Sequence, residues 1–124
     1  MDCIFCKIIK GDIPSYTVYE NEHVKCYLDI NPNNVGHTLV IPKKHITDAI
    51  EMDSETIIHI NNALKEVVSI LDKTFKPDGY KFAVNYGICQ EVKHYHLHIV
   101  PKYKNEPLIS DIKEVYEKII ASKE

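Results

Sequence analysis

Apolar residues recur at Ile57, Ile60, Leu64, Val67, Leu71 and Phe75, at steps of three and four. Such a stripe is one face of an amphipathic helix packed on a core. Asp53 or Ser54 stands where its N-cap belongs, and Asp53 and Glu55 put negative charge near its positive end. Pro77 and Gly79 end it. Elsewhere the pattern is that of strands. Tyr80, Phe82, Val84 and Tyr86 alternate along 80–86, which places them on one strand face. The run TVYENEHVKCYLDI (17–30) reads as two strands around a turn at Glu20–Glu22. GHTLVIPKKH (36–45) reads as a strand closed by Pro42, and HYHLHIVP (94–101) as the last strand. Residues 3–10 are a short mixed segment ending at Gly11. Leu108, Ile112, Val115, Tyr116 and Ile119 suggest a C-terminal helix. The order of strands, helix, strands, helix predicts an α+β fold: an antiparallel five-stranded sheet with one long helix and a C-terminal helix packed on it.

Length and composition narrow this picture. The 124 residues suit a single domain spanning 1–124 with one modest core, and no repeat, linker or low-complexity tract divides them. A charged fraction of 27% beside 44% hydrophobic residues is a globular composition. A net charge of −3 gives no broad basic field for nucleic acid or an anionic membrane. No apolar run is long enough to span a bilayer, and MDCIFCKIIKGDIP lacks the order of a signal peptide. These features point to the cytoplasm. There, Cys3, Cys6, Cys26 and Cys89 are expected as thiols or metal ligands rather than disulfides.

Candidate chemistry concentrates in CQEVKHYHLHIVP (89–101), where His94, His96 and His98 stand at two-residue spacing. On a strand they would share one face. Metal binding, nucleophilic catalysis and a histidine-rich polar face are the alternatives. At ~3.3 Å per residue the outer Cα atoms lie ~13 Å apart. Zn–N bonds of about 2 Å would then have to draw both outer rings inward. That geometry favours separate roles over one shared metal. Imidazoles suit nucleophilic or general-base work near neutral pH. Cys3 and Cys6 form a CxxC pair, which alone fits buried thiols, redox use or half of a zinc site.

These segments together resemble the histidine triad (HIT) family, Hint-like branch. QEVKHYHLHIVP resembles its signature, CIFCKIIKGDIP its N-terminal segment, and CYLDINPNNVGHTLVIPKKHI its central hairpin. The resemblance implies a hydrolase or transferase acting at the α-phosphate of purine nucleoside 5′-phosphoramidates or dinucleoside polyphosphates. A nucleotidyl-histidine forms on His96 and water releases the nucleoside monophosphate. The His94 carbonyl would fix the His96 tautomer, and His98 would bind a phosphate oxygen. Asp29 would hold the ribose hydroxyls, although a turn aspartate is the plainer reading of its position. Ile4, Phe5, Leu28 and Ile30 would sandwich the base or simply form core. Asn85 and Gln90 would hold the phosphate, and His37 would stand behind the triad or serve as a structural histidine. The resemblance also implies a structural zinc on Cys3, Cys6, His45 and His94, no metal in catalysis, and a homodimer.

The chain departs from the family's pattern in NYGICQEVKH (85–94). The loop is shorter, Cys89 replaces a glycine, and Glu91 stands where a hydroxyl residue is usual. Glu91 could donate a proton only with a raised pKa. Alternatively it repels a polyphosphate leaving group, with proton delivery shifted to Gln90 or water. Cys26 and Cys89 are expected bystanders, Cys89 being near the site and open to oxidation. Three functions therefore stand: a nucleotidyl hydrolase, a nucleotide-binding sensor with weak chemistry, and a metal-dependent hydrolase using the three histidines as ligands.

Overall fold

The computed structural model describes residues 3–123. Two strands, β1 (Thr17–Glu20) and β2 (Val24–Leu28), form a hairpin, and β3 (Thr38–Pro42) follows. Next come a long helix (Ser54–Phe75), strand β4 (Gly79–Val84), strand β5 (Leu97–Lys102) and a C-terminal helix (Ile112–Lys123). All pairings are antiparallel, in the order β1-β2-β3-β5-β4. The expected five strands and two helices are present. Segment 3–10 is more regular than its composition suggested: Ile4–Lys10 is helical. We number it α1, the long helix α2 and the C-terminal helix α3.

Cys3 caps α1, its sulfur accepting from the Cys6 N–H, and Gly11 ends it in the left-handed conformation at φ 88°. Asp53 caps α2 by accepting from the Thr56 N–H. Along α2, Ile60, Ala63, Val67 and Leu71 are buried, whereas Ile57 is 43% exposed at the first turn. The helix stops at Phe75 because Lys76 turns left-handed ahead of Pro77. Leu108 precedes α3 and is fully exposed; Val115 and Ile119 carry that helix's packing.

Strand alternation divides the sheet into two unlike faces. On the back, Cys26, Leu28, Val40, Leu97 and Ile99 pack with α2 and α3 in the main core. On the front, Tyr27, Leu39 and Ile41 form a smaller cluster with Phe5 and Ile8 of α1. The front face therefore has only a seven-residue helix over it.

The last strand begins later than its alternation suggested. β5 starts at Leu97, so His94 and His96 precede it and only His98 lies within it. β3 pairs with β5 through Val40 and Leu97. Continued, that register would bring Tyr95 opposite Pro42, which has no N–H to donate. The Tyr95 N–H instead reaches the Ile46 carbonyl at 2.7 Å, and the chain bends away from the sheet.

Candidate active site

His96 stands where this bent segment meets the sheet. Its Nδ1 lies 2.9 Å from the His94 carbonyl oxygen. A carbonyl only accepts, so in the neutral ring Nδ1 carries the proton and Nε2 keeps its lone pair. Phe5 packs edge-on against the ring at 5.0 Å, and the His98 ring lies 5.0 Å away on the other side. His96 is 9% exposed, at the wall of a cleft of about 540 Å³. That volume suits a small-molecule ligand.

The cleft runs from α1 to the β2–β3 connection. Ile4, Phe5, Leu28, Ile30 and Leu39 supply apolar walls. Ile4 and Ile30 are 49% and 76% exposed, so neither is plain core. Asp29, Asn85, Glu91 and His98 supply polar ones. The Asp29 carboxylate accepts from the Asn31 N–H at 2.9 Å, as in an Asx turn, while its other oxygen lies 3.6 Å from His37 Nε2. Asp29 thus closes a turn and also lines the cleft.

His37 is buried beneath the cleft. Gly36 precedes it at φ +91°, with Leu71 and Pro101 3.3 Å from where a Cβ would sit, so only glycine fits there. His37 Nδ1 accepts from the Asn33 N–H at 3.1 Å. Neutral His37 therefore carries its proton on Nε2, 3.0 Å from His98 Nδ1. His98 accepts there, which leaves its own Nε2–H buried and with no protein partner among the described residues. Burial lowers the His98 pKa to about 4, with the neighbouring His96 and His37 adding to the shift. Burial also lowers His37, against the raising influence of Asp29 and with the help of Lys102. Near pH 7 the pair is a neutral donor chain, Asn33 to His37 to His98.

His94 faces the other way. Its Nε2 donates to the Pro42 carbonyl at 2.9 Å, which leaves Nδ1 as a lone pair. That lone pair meets Cys3 Sγ at 3.4 Å, Cys6 Sγ at 3.6 Å and His45 Nδ1 at 3.1 Å. His45 Nδ1 lies 3.3 Å from Cys6 Sγ. The four atoms all lie within 4.8 Å of one another. In a tetrahedral zinc site, bonds of about 2.3 Å to sulfur and 2.1 Å to nitrogen set such ligands about 3.5 Å apart. The donor set and spacing fit that ion. The His94 bond to a backbone carbonyl is the outer support that a ligating histidine normally has.

One sequence expectation looks different in place. Gln90 does not reach the cleft: it is buried, and its amide donates to the Thr47 and Val92 carbonyls at 2.7 and 2.9 Å. It braces the loop before His94. The three histidines do not form one metal-capable group among the described residues; the convergent groups are Cys3, Cys6, His45, His94 and Asp29, His37, His98. Cys26 lies in the main core with its thiol pushed up to about 12 by burial, and Cys89 is exposed at the cleft mouth. Sequence reasoning passed over Lys81 and Lys102. Strand alternation was the available signal, once β4 is paired with β5 so that Ala83 faces His98.

An antiparallel five-stranded sheet with a lightly covered front face and a histidine-lined cleft upon it define a class of small α+β proteins. Comparison with known proteins is consistent with this. A sequence model of the HIT domain matches residues 10–105. A HIT-like protein of Methanocaldococcus jannaschii is 46% identical, over 91% of this chain and 88% of its own length. Adenosine 5′-monophosphoramidase of Schizosaccharomyces pombe is 41% identical, over 86% and 78%. The crystal structure of a zinc-bound histidine triad family protein from Mycobacterium smegmatis superposes with a TM-score of 0.88 at 34% identity, covering 98% of this chain and 93% of that one. The chain belongs to the HIT family.

Proposed function

We propose that the protein is a nucleotide hydrolase or transferase that cleaves at the α-phosphate of a purine nucleoside 5′-phosphoramidate or dinucleoside polyphosphate. The observation that carries this reading is the 2.9 Å contact from His96 Nδ1 to the His94 carbonyl, which leaves Nε2 unprotonated at the cleft. In this reading His96 Nε2 attacks phosphorus, the bond to the leaving group breaks, and water hydrolyses the nucleotidyl-histidine. The His98 Nε2–H donates to a phosphate oxygen as charge develops, a fixed donor in a partly dried site. Asp29 takes the ribose hydroxyls, and Ile4, Phe5, Leu28 and Ile30 enclose the base. Asn85, on the cleft wall, contributes to phosphate binding. Gln90 acts by holding the loop rather than by touching substrate. The relation to a named adenosine 5′-monophosphoramidase supports the substrate class.

Cys3, Cys6, His45 and His94 would hold a structural zinc, which would tie α1 to the segment before β5 and take no part in the reaction. The thiols must stay reduced for this, as in cytoplasm. A homodimer is supported by β4. It is an edge strand, and Phe82, Val84, Tyr86 and Ile88 leave large apolar area exposed along and just beyond it. Among the described residues no helix is long and apolar enough to cross a membrane.

The test is AMP release from adenosine 5′-phosphoramidate and diadenosine tetraphosphate, with and without chelator. His96→Ala should lower kcat by about four orders of magnitude or more while AMP still binds. Wild-type turnover that needs added metal would support a metal-dependent hydrolase instead. Tight AMP binding with no wild-type turnover on either substrate would support a sensor.

A further inference from the structure

The nucleoside cleft does not end at His98. Asn33, Asn85 and His98 also border a second, polar cleft of about 350 Å³, which continues over the front face of β4 and β5. Its floor follows from strand pairing. Ala83 lies opposite His98 and Lys81 opposite Val100, so Lys81, Ala83 and Asn85 point the same way as His98, Val100 and Lys102. Lys81 and Lys102 both line it. Among the described residues, neither lysine has a carboxylate within ion-pairing distance. The Lys102 ammonium donates to Asn34 Oδ1 at 3.2 Å, and Asn34 in turn donates to Glu106 at 3.0 Å. The Lys102 charge is felt at His37, where it disfavours protonation. At the junction of the two clefts His98 presents a buried Nε2–H with no protein partner. Glu91 borders the nucleoside cleft but not this one.

We propose that the Lys81–Lys102 cleft is the leaving-group subsite, and that the leaving group is a phosphate chain. The proposal rests on the hydrolase reading above and makes it narrower. When His96 Nε2 bonds to the α-phosphorus, the bond from phosphorus to the bridging oxygen breaks and its electron pair stays on that oxygen. A phosphate chain departs as a stabilised anion, so it needs cations rather than a proton donor. An amine departing from a phosphoramidate needs a proton and gains nothing from two ammonium groups. The second half-reaction adds water across the phosphorus–nitrogen bond, returning neutral His96 and a nucleoside monophosphate. Glu91 stands outside the path of the departing anion, so its negative charge does not oppose it at close range.

The experiment compares kcat/KM for diadenosine tetraphosphate and adenosine 5′-phosphoramidate in wild type, Lys81→Ala, Lys102→Ala and the double variant. Each alanine should lower the tetraphosphate-to-phosphoramidate ratio roughly tenfold, the low end for a lost transition-state charge contact because both lysines are solvent-exposed. Lys→Arg at either site should restore most of the ratio, and raised salt should depress the wild-type ratio. An unchanged ratio in the double variant, or equal losses on both substrates, overturns the subsite. Wild-type inactivity on both substrates would instead sink the hydrolase reading. The subsite is then judged by titration calorimetry. The double variant should lose affinity for the tetraphosphate relative to AMP, and equal affinities overturn it.

Discussion

His94 and His98 flank His96 symmetrically in the sequence, two residues to either side, and both are largely withdrawn from water. Their partners make them opposites. His94 gives its N–H to the Pro42 carbonyl and points a lone pair at two thiols and a third histidine. His98 accepts at Nδ1 from His37 and keeps a buried N–H without a protein partner, on a ring that borders the cleft. One is shaped as a ligand, the other as a donor. Residue type and spacing are identical, so the difference comes from what each ring's second nitrogen touches. His96 lies between and is steered by backbone from one side and by ring packing from the other.

The largest expected effect lies on the His94 side. Cys3→Ser should abolish zinc binding, measured as metal per chain by atomic absorption. It should cost at least about 3 kcal/mol of stability, or roughly 10 °C in Tm for a domain of this size. Because α1 carries Ile4 and Phe5 into the cleft, nucleotide affinity should fall with it. Wild-type protein containing no zinc after growth in zinc-replete medium, with Tm unaltered by the substitution, would reduce the cluster to a pair of packed thiols.

On the His98 side, His37→Ala removes the group that fixes the donor tautomer. It also leaves the Asn33 N–H without an acceptor. We expect kcat on the preferred substrate to fall about tenfold to a hundredfold, with KM changing much less, if His37 acts by orienting His98. Removing the buried ring should cost about 1–3 kcal/mol in denaturant unfolding. A loss in Tm with kcat unchanged would assign His37 a structural role alone.

Long-range partners of this kind were the part of the site that sequence could not show. Helix α2 was legible because three-and-four spacing, an aspartate cap and a following proline all agree. The hairpins were legible from alternation. Helix α1 was not, because seven residues carry too little periodicity and its cap is a cysteine sulfur. The start of β5 was missed because His94-Tyr95-His96 alternates like a strand, whereas Pro42 on a distant strand stops the ladder. The Cys3–His94 contact spans 91 residues and the His37–His98 contact spans 61. Only the family resemblance brought the first set together in advance. The phosphate role of Gln90 is implied by the family resemblance alone, and its amide turns inward because two loop carbonyls need donors.

The smallest expected effect sharpens the comparison through pH. His98 has its pKa lowered to about 4 by burial and by neighbouring histidines, against an ordinary value of about 6.5 in an unfolded chain. A lowered histidine pKa means that the unfolded state binds the proton more readily than the folded one. Between those two values acid therefore favours unfolding. Stability should be intact above about pH 6.5 and decline as pH falls toward 4. His37 and His94 are shifted the same way, so wild type alone does not isolate His98. His98→Asn can keep a neutral polar group at the position and removes the titration. Its denaturant midpoint should fall less steeply than wild type between pH 6.5 and 4. Parallel curves would mean that the acid sensitivity belongs to His37 or to His94, and at His94 protonation would compete with the metal.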